Sequence, residues 1–176
     1  MTPIVKAFYE SLSFIGSGPL YFIIFLVIFN WGGRARAFYY LFYLCGCLCL
    51  INVTKIAYHN PRPYMVDNDV VPYGCSHEWG NPSGHSLFAS GFFFFMFLDI
   101  FHSHDKHVEP SNLIYALTLI GTLAITFLIG FARLYVGVHS IDQIIFGWML
   151  GFWIAFYFHI CLRNRVLYHI NRIILK

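Results

Sequence analysis

Asn81-Pro82-Ser83-Gly84-His85-Ser86, followed by the apolar run from Leu87 to Phe101, is the stretch on which the fold turns. Its first half is turn chemistry and its second half is a helix that seeks hydrocarbon. Asn81 suits an N-cap and Pro82 a first helical position. The N–H groups of Ser83, Gly84 and His85 are then expected to point outward, where a helix start binds an anion such as phosphate. Gly84 lets backbone approach closely, and His85 can give or take a proton near neutral pH. Taken alone, the same residues also serve simply as a helix cap. Phe92-Phe93-Phe94-Phe95 belongs in lipid or between helices, and Asp99 is expected to truncate its span.

Outward from this stretch, the chain of 176 residues is 59% hydrophobic and only 11% charged, too few charges to clothe a soluble domain of that size. Apolar segments at 14–31, 37–54, 86–101, 112–131 and 143–162 each approach the roughly 20 residues that cross a ~30 Å hydrocarbon core. The expected fold is therefore an all-α integral membrane bundle of about five spans, the last four forming the core and the first packed alongside. Gly46, Gly91, Gly121, Gly147 and Gly151 are expected to allow close helix approach.

Residues 1–13 set Ile4, Val5, Phe8 and Leu12 against Lys6 and Glu10, as an amphipathic segment lying on the interface does. The weakly charged start and the lack of a small-residue cleavage pattern predict that the first span stays in the membrane. Residues 14–163 then form the membrane domain and 164–176 a basic tail. Cys45, Cys47 and Cys49 fall in the second span and Cys161 in the fifth, leaving Cys75 in a loop without an evident partner. His102, His104 and His107 with Asp105 occupy a short polar connector, read as a solvated loop rather than a metal cluster. No metal, cofactor or nucleic-acid partner is expected.

Five crossings place Arg34, Arg36, Lys106, Arg163, Arg165, Arg172 and Lys176 on one side, and Lys6, Lys55, Arg62 and Arg133 on the other. Basic residues favour the cytoplasm, so the loops at 56–85 and 132–140 share the non-cytoplasmic face. Three polar clusters meet there. Lys55 closes the second span and Arg62 stands between Pro61 and Pro63, which end the helix; an ammonium and a guanidinium suit one tetrahedral oxyanion, although both could also snorkel to headgroups. The Ser83-Gly84-His85 turn is the second cluster. The third joins Arg133 to His139, with Asp142 and Gln143 three and four residues beyond, close enough to orient one ring nitrogen; Asp142 could equally be an electrostatic cap.

Lys55-x6-Arg62-Pro63, Pro82-Ser83-Gly84-His85 and Arg133-x5-His139, in this order, resemble the type 2 phosphatidic acid phosphatase superfamily. That superfamily includes lipid phosphate and sphingoid-base phosphate phosphatases, glucose-6-phosphatase and vanadium haloperoxidases. The resemblance covers roughly residues 50–150 and makes the last four spans a catalytic core. It implies that His139 attacks phosphorus to form a phosphohistidine, and that His85 protonates the leaving alcohol and then helps activate water. It also implies that Lys55, Arg62, Ser83, Gly84 and Arg133 hold the phosphate without a metal ion.

Two positions depart from that pattern. Ala132 stands where a serine is usual, which removes a hydroxyl worth about 0.5–1.5 kcal/mol if nothing replaces it. Gln143 stands where an aspartate is usual, as in glucose-6-phosphatase-like members. Asp142 is expected to orient His139 by virtue of its charge, although it lies about 100° around the helix from Gln143. The expected function is hydrolysis of a lipid phosphate or diphosphate in the bilayer. A sugar phosphatase is the second reading, and a phosphatase-like structural or lipid-binding subunit of a larger membrane assembly is the third.

Overall fold

In the computed structural model, which describes residues 3–72, 76–102 and 110–174, the apolar segments become helices whose ends follow the turn chemistry. α1 (Pro3–Ile15) leads to α2 (Gly18–Trp31), α3 (Arg34–Tyr58), the short α4 (Pro63–Val66), α5 (Gly84–Phe101), α6 (Asn112–Tyr135) and α7 (Ile141–Tyr157). A π-helical turn, Phe158–Leu162, joins α7 to α8 (Arg163–Ile174). α3, α5, α6 and the α7–α8 rod are each long and apolar enough to cross a membrane. The α1–α2 pair, bent by 48°, supplies a fifth crossing when counted as one broken span. Cys75 and the residues His104, Asp105 and His107 lie outside the described residues.

α5 is the central helix: 61% of it is buried, against 22% for the apolar window of α6. Phe92 and Phe95 are fully enclosed, and Phe95 stacks on Tyr43 of α3 with ring centroids 3.9 Å apart. The Phe quartet therefore packs between helices. Small residues set the α5–α7 spacing. A Cβ on Gly147 would come within 2.8 Å of the Ser83 carbonyl, and one on Gly151 would overlap Ser90 Oγ and the Leu87 carbonyl. A Cβ on Gly46 would lie 3.0 Å from the Phe158 ring. Gly121 does not share this role, because nothing among the described residues lies within 4 Å of its Cβ position.

Asp99 does not truncate its span. α5 runs on to Phe101, and the carboxylate, 3% exposed, meets the Arg36 guanidinium at 2.7 Å and lies 3.6 Å from Arg163 Nε. The Tyr40 hydroxyl donates to it at 3.1 Å. A charge that would be costly in lipid is kept inside the bundle by partners from two other helices. The stretch expected as a basic tail is helical through Ile174, with Val166, Leu167 and Ile170 packed on the core.

The other ends of the helices build the polar face. α3 continues to Tyr58, with Lys55 in its last turn and His59 as a left-handed C-cap at φ 46°; Pro61 blocks further helix. α1 packs against α6, where Tyr9 stacks on Tyr135 at 4.1 Å. The α1–α2 bend sets Gly16 against the His85 ring: a Cβ there would sit 3.3 Å from His85 and 2.8 Å from Ile129.

Candidate active site

At the N-terminal end of α5 the cap is Ser83, not Asn81. The Ser83 side chain accepts the Ser86 N–H at 3.5 Å and the Ser86 hydroxyl at 3.0 Å, while Asn81–Pro82 is a cis peptide preceding the turn. The Ser83 N–H is spent on the Gln143 main-chain carbonyl at 3.0 Å. The N–H groups of Gly84 and His85, in the first turn of α5, have no helical carbonyl one turn earlier to bond. Gly84 is held against Ile51, whose Cδ1 would lie 2.9 Å from a Cβ at this position.

A cavity of about 570 Å³ opens here, and Lys55, Arg62, Gly84, His85, Arg133 and His139 all line it. Three helices, α3, α5 and α6, and the two loops that carry Arg62 and His139 thus bring three cations and two histidines to one space. Ser83, fully buried, is not among the lining residues. Asp142 is also elsewhere: it is exposed at the start of α7, one residue ahead of the buried Gln143.

Gln143 takes the orienting position that charge alone had suggested for Asp142. Its Oε1 lies 3.1 Å from His139 Nδ1 and accepts the Ser140 N–H at 3.4 Å. Its Nε2 donates to Asn60 Oδ1 at 3.0 Å and to the Pro61 carbonyl at 2.8 Å. Two acceptors at Nε2 fix which end of the amide is which, so Oε1 must face the histidine. Nδ1 then carries the proton and Nε2 carries the lone pair. The physical cause is the capping box at the start of α7: Gln143 is its N3 residue and reaches back past the N-cap Ser140 to His139, while Asp142 turns outward.

The Arg62 guanidinium meets that lone pair, with Nη1 3.3 Å from His139 Nε2 and 3.3 Å from the Val138 carbonyl. Burial, reinforced by Arg62, pushes the His139 ring down to about 3, so the imidazole is neutral at physiological pH. Arg133 reaches from α6 and donates to Ser13 Oγ at 3.2 Å. Ala132 carries no hydroxyl, and α1 brings one to the arginine from a distant part of the chain.

Residues 76–80 form a strap over the two cations of the first cluster. Gly80 N–H donates to the Asn60 carbonyl at 2.8 Å, Arg62 Nε to the Glu78 carbonyl at 2.9 Å, and Tyr64 OH to the Ser76 carbonyl at 2.8 Å. The strap delivers the Glu78 carboxylate to Lys55, with which it forms an ion pair. The hydrogen bond and charge of Lys55 hold the Glu78 carboxyl below the usual range. Neither Glu78 nor Ser13 belongs to the three sequence clusters, and no local pattern marks them. Among the described residues, no group of His, Cys, Asp and Glu could hold a metal ion.

With that geometry in place, the comparisons identify the class. The PAP2 superfamily model matches residues 36–167, three quarters of the chain, and the chain belongs to that superfamily. The crystal structure of the first transmembrane PAP2 type phosphatidylglycerolphosphate phosphatase from Bacillus subtilis is similar in fold, with a TM-score of 0.73 and 22% identity, covering 94% of this chain and 79% of that one. Aquifex aeolicus LpxE gives 0.64 and 24% identity, covering 88% of this chain and 85% of that one. No curated protein sequence matches the chain significantly. The chain thus has the fold of the membrane-embedded PAP2 phosphatases.

Proposed function

We propose that this protein hydrolyses a lipid phosphate or diphosphate through a phosphohistidine on His139. The observation that carries the reading is the pinned tautomer: Gln143 holds Nδ1 protonated and leaves the Nε2 lone pair facing Arg62 in a cavity that Lys55 and Arg133 also line. An arriving phosphate gives Arg62 a better acceptor and exposes the lone pair to phosphorus. Nε2 then bonds to phosphorus while the bond to the leaving alcohol oxygen breaks, and His85 delivers a proton to that oxygen. In the second half His85 takes a proton from water, whose oxygen displaces Nε2 and releases inorganic phosphate. Lys55, Arg62, Arg133 and the Gly84 N–H stabilise the charge on the equatorial oxygens in both steps.

The rest of the cavity supports a lipid substrate. Tyr21, Phe22 and Phe25 of α2 and Leu44 and Leu48 of α3 continue its wall, an apolar channel suited to a hydrocarbon chain and of no use to a sugar. Arg34, Arg36, Arg163, Arg165 and Arg172 lie toward the opposite end, which favours a non-cytoplasmic active site. Purified protein in EDTA should release phosphate from a long-chain lipid phosphate at least tenfold faster than from a sugar phosphate, the scale set by burying a few methylenes. A strict requirement for divalent metal, or preference for the sugar, contradicts the proposal.

Glu78 is an internal anion on a phosphate-binding cation. Its side chain is 66% exposed, so an incoming phosphate can displace it at little cost. Glu78→Gln frees Lys55 and is expected to tighten inhibition by orthovanadate by up to about fivefold, the scale of an exposed ion pair. Weaker inhibition would show that Glu78 positions Lys55 instead of competing for it.

A further inference from the structure

α1 and α2 precede residues 36–167, the part of the chain that the superfamily model matches, yet the elbow between them reaches the cavity of the two histidines. Gly16, Ser17 and Gly18 line that cavity together with His85 and Arg133. The elbow is pinned from within. Gly16 N–H donates to the Leu12 and Ser13 carbonyls at 3.3 and 3.2 Å, and Ser17 N–H to the Phe14 carbonyl at 2.9 Å. The Ser17 hydroxyl donates to the same Phe14 carbonyl at 2.6 Å. Its neighbours leave it little room, since a Cβ on Gly16 would meet Ile129 Cγ2 at 2.8 Å and the His85 ring at 3.3 Å. The buried Leu12 and the stack of Tyr9 on Tyr135 seat the rest of α1 on α6.

This fixed elbow sets Ser13, in the last turn of α1, against Arg133, in the last turn of α6. Arg133 Nη1 donates to Ser13 Oγ at 3.2 Å. Among the described residues that hydroxyl is the side-chain partner of the guanidinium, whose Nε is buried without a hydrogen bond. An untethered arginine has two reasons to leave the pocket. Its long stem can turn the charge toward lipid headgroups, and Lys55 and Arg62, which line the same cavity, repel it. Accepting from one nitrogen of the planar fork fixes the orientation of the whole group. A neutral hydroxyl does so while leaving the positive charge available to an incoming anion. Lys55 differs in this respect, because it carries the Glu78 carboxylate, which an anion must displace.

We propose that Ser13 is a positioning residue of the phosphate site: its hydroxyl, delivered by the α1–α2 elbow, keeps the Arg133 guanidinium turned into the cavity. The proposal rests on the reading of this cavity as a phosphate site. The test is calorimetric titration of the purified full chain with orthovanadate, in wild type, Ser13→Ala, Ser13→Thr, Arg133→Ala and the Ser13→Ala/Arg133→Ala pair. Ser13→Ala should weaken binding about fivefold, the scale of a lost hydrogen bond to a charged group that acts through a neighbour. Ser13→Thr, which keeps the hydroxyl, should restore it. Arg133→Ala and the double variant should bind equally weakly, because Ser13 has nothing to orient once the guanidinium is gone. A hydroxyl that merely stabilised α1 would lower binding by the same factor in both backgrounds, and thermal unfolding of each variant checks that the fold is kept. Wild-type affinity in Ser13→Ala, an equal further loss in the Arg133→Ala background, or no recovery in Ser13→Thr would each overturn the proposal. Wild-type affinity in Arg133→Ala would instead overturn the phosphate-site reading beneath it, so the two failures are distinguishable.

Discussion

Replacing His139 by alanine is expected to lower the rate of phosphate release by roughly 10³-fold or more, the scale on which a reaction loses its attacking group. The variant should still bind orthovanadate or inorganic phosphate, because Lys55, Arg62 and Arg133 line the cavity from other elements. Its fold should be intact. The site buries a neutral imidazole that takes no part in the apolar core, and Arg62 keeps acceptors in the Val138 and Glu78 carbonyls. A steady-state assay on lipid phosphate, paired with an inhibitor-binding measurement, separates lost chemistry from lost binding. Turnover within tenfold of the wild type would remove His139 from the reaction.

The second large effect is expected at Gly80, which touches no substrate. A Cβ there would sit 2.6 Å from Gln143 Nε2 and 2.7 Å from Oε1. The amide has no easy retreat, since Asn60, Pro61, Ser140 and His139 engage it. Gly80→Ala must therefore push the Gln143 amide out of register and release His139 Nδ1 from its acceptor. The ring then loses the fixed tautomer that keeps a lone pair at Nε2. Misplacing a reacting group by about an ångström costs on the order of 10²-fold, and the loss should fall on kcat with KM little changed. An unchanged kcat would mean that the amide finds another route to the same contact, and that Gln143 does not control the histidine.

The central features of the site were legible because each rests on a short contiguous pattern. Lys55 with Arg62, Gly84 with His85, and Arg133 with His139 are near neighbours in sequence, and the spans between them bring the three groups to one face. Asp142 illustrates a weighing that went the wrong way. Its charge argued for an orienting role, yet Gln143 is the N3 residue of the capping box that starts α7 and reaches back past the N-cap to His139, and cap geometry outweighs charge where the side chains must touch. The start of α5 moved for a similar reason: Ser83 can cap only if the helix begins at Gly84, which leaves Asn81–Pro82 in the turn before it.

What could not be read is non-local. Ser13 meets Arg133 only because α1 folds back along α6, and Glu78 meets Lys55 only because residues 76–80 are strapped to residues 60–64. Asp99 looked like the end of a span because a lone carboxylate in lipid is costly. Its partners Arg36 and Arg163 come from α3 and the start of α8, and no window around residue 99 contains them. Gly121 failed where Gly147 and Gly151 succeeded because a small residue signals close approach only on the face that another helix covers.

The most direct test of the account is to capture the covalent intermediate. Purified protein is mixed with lipid phosphate carrying a labelled phosphoryl group, quenched in alkali within a single turnover, digested and mapped by mass spectrometry. The account predicts an acid-labile, alkali-stable phosphoryl group on His139 that forms before phosphate is released and is absent in His139→Ala. Full turnover with no labelled protein at any time, or label on another residue, would contradict it.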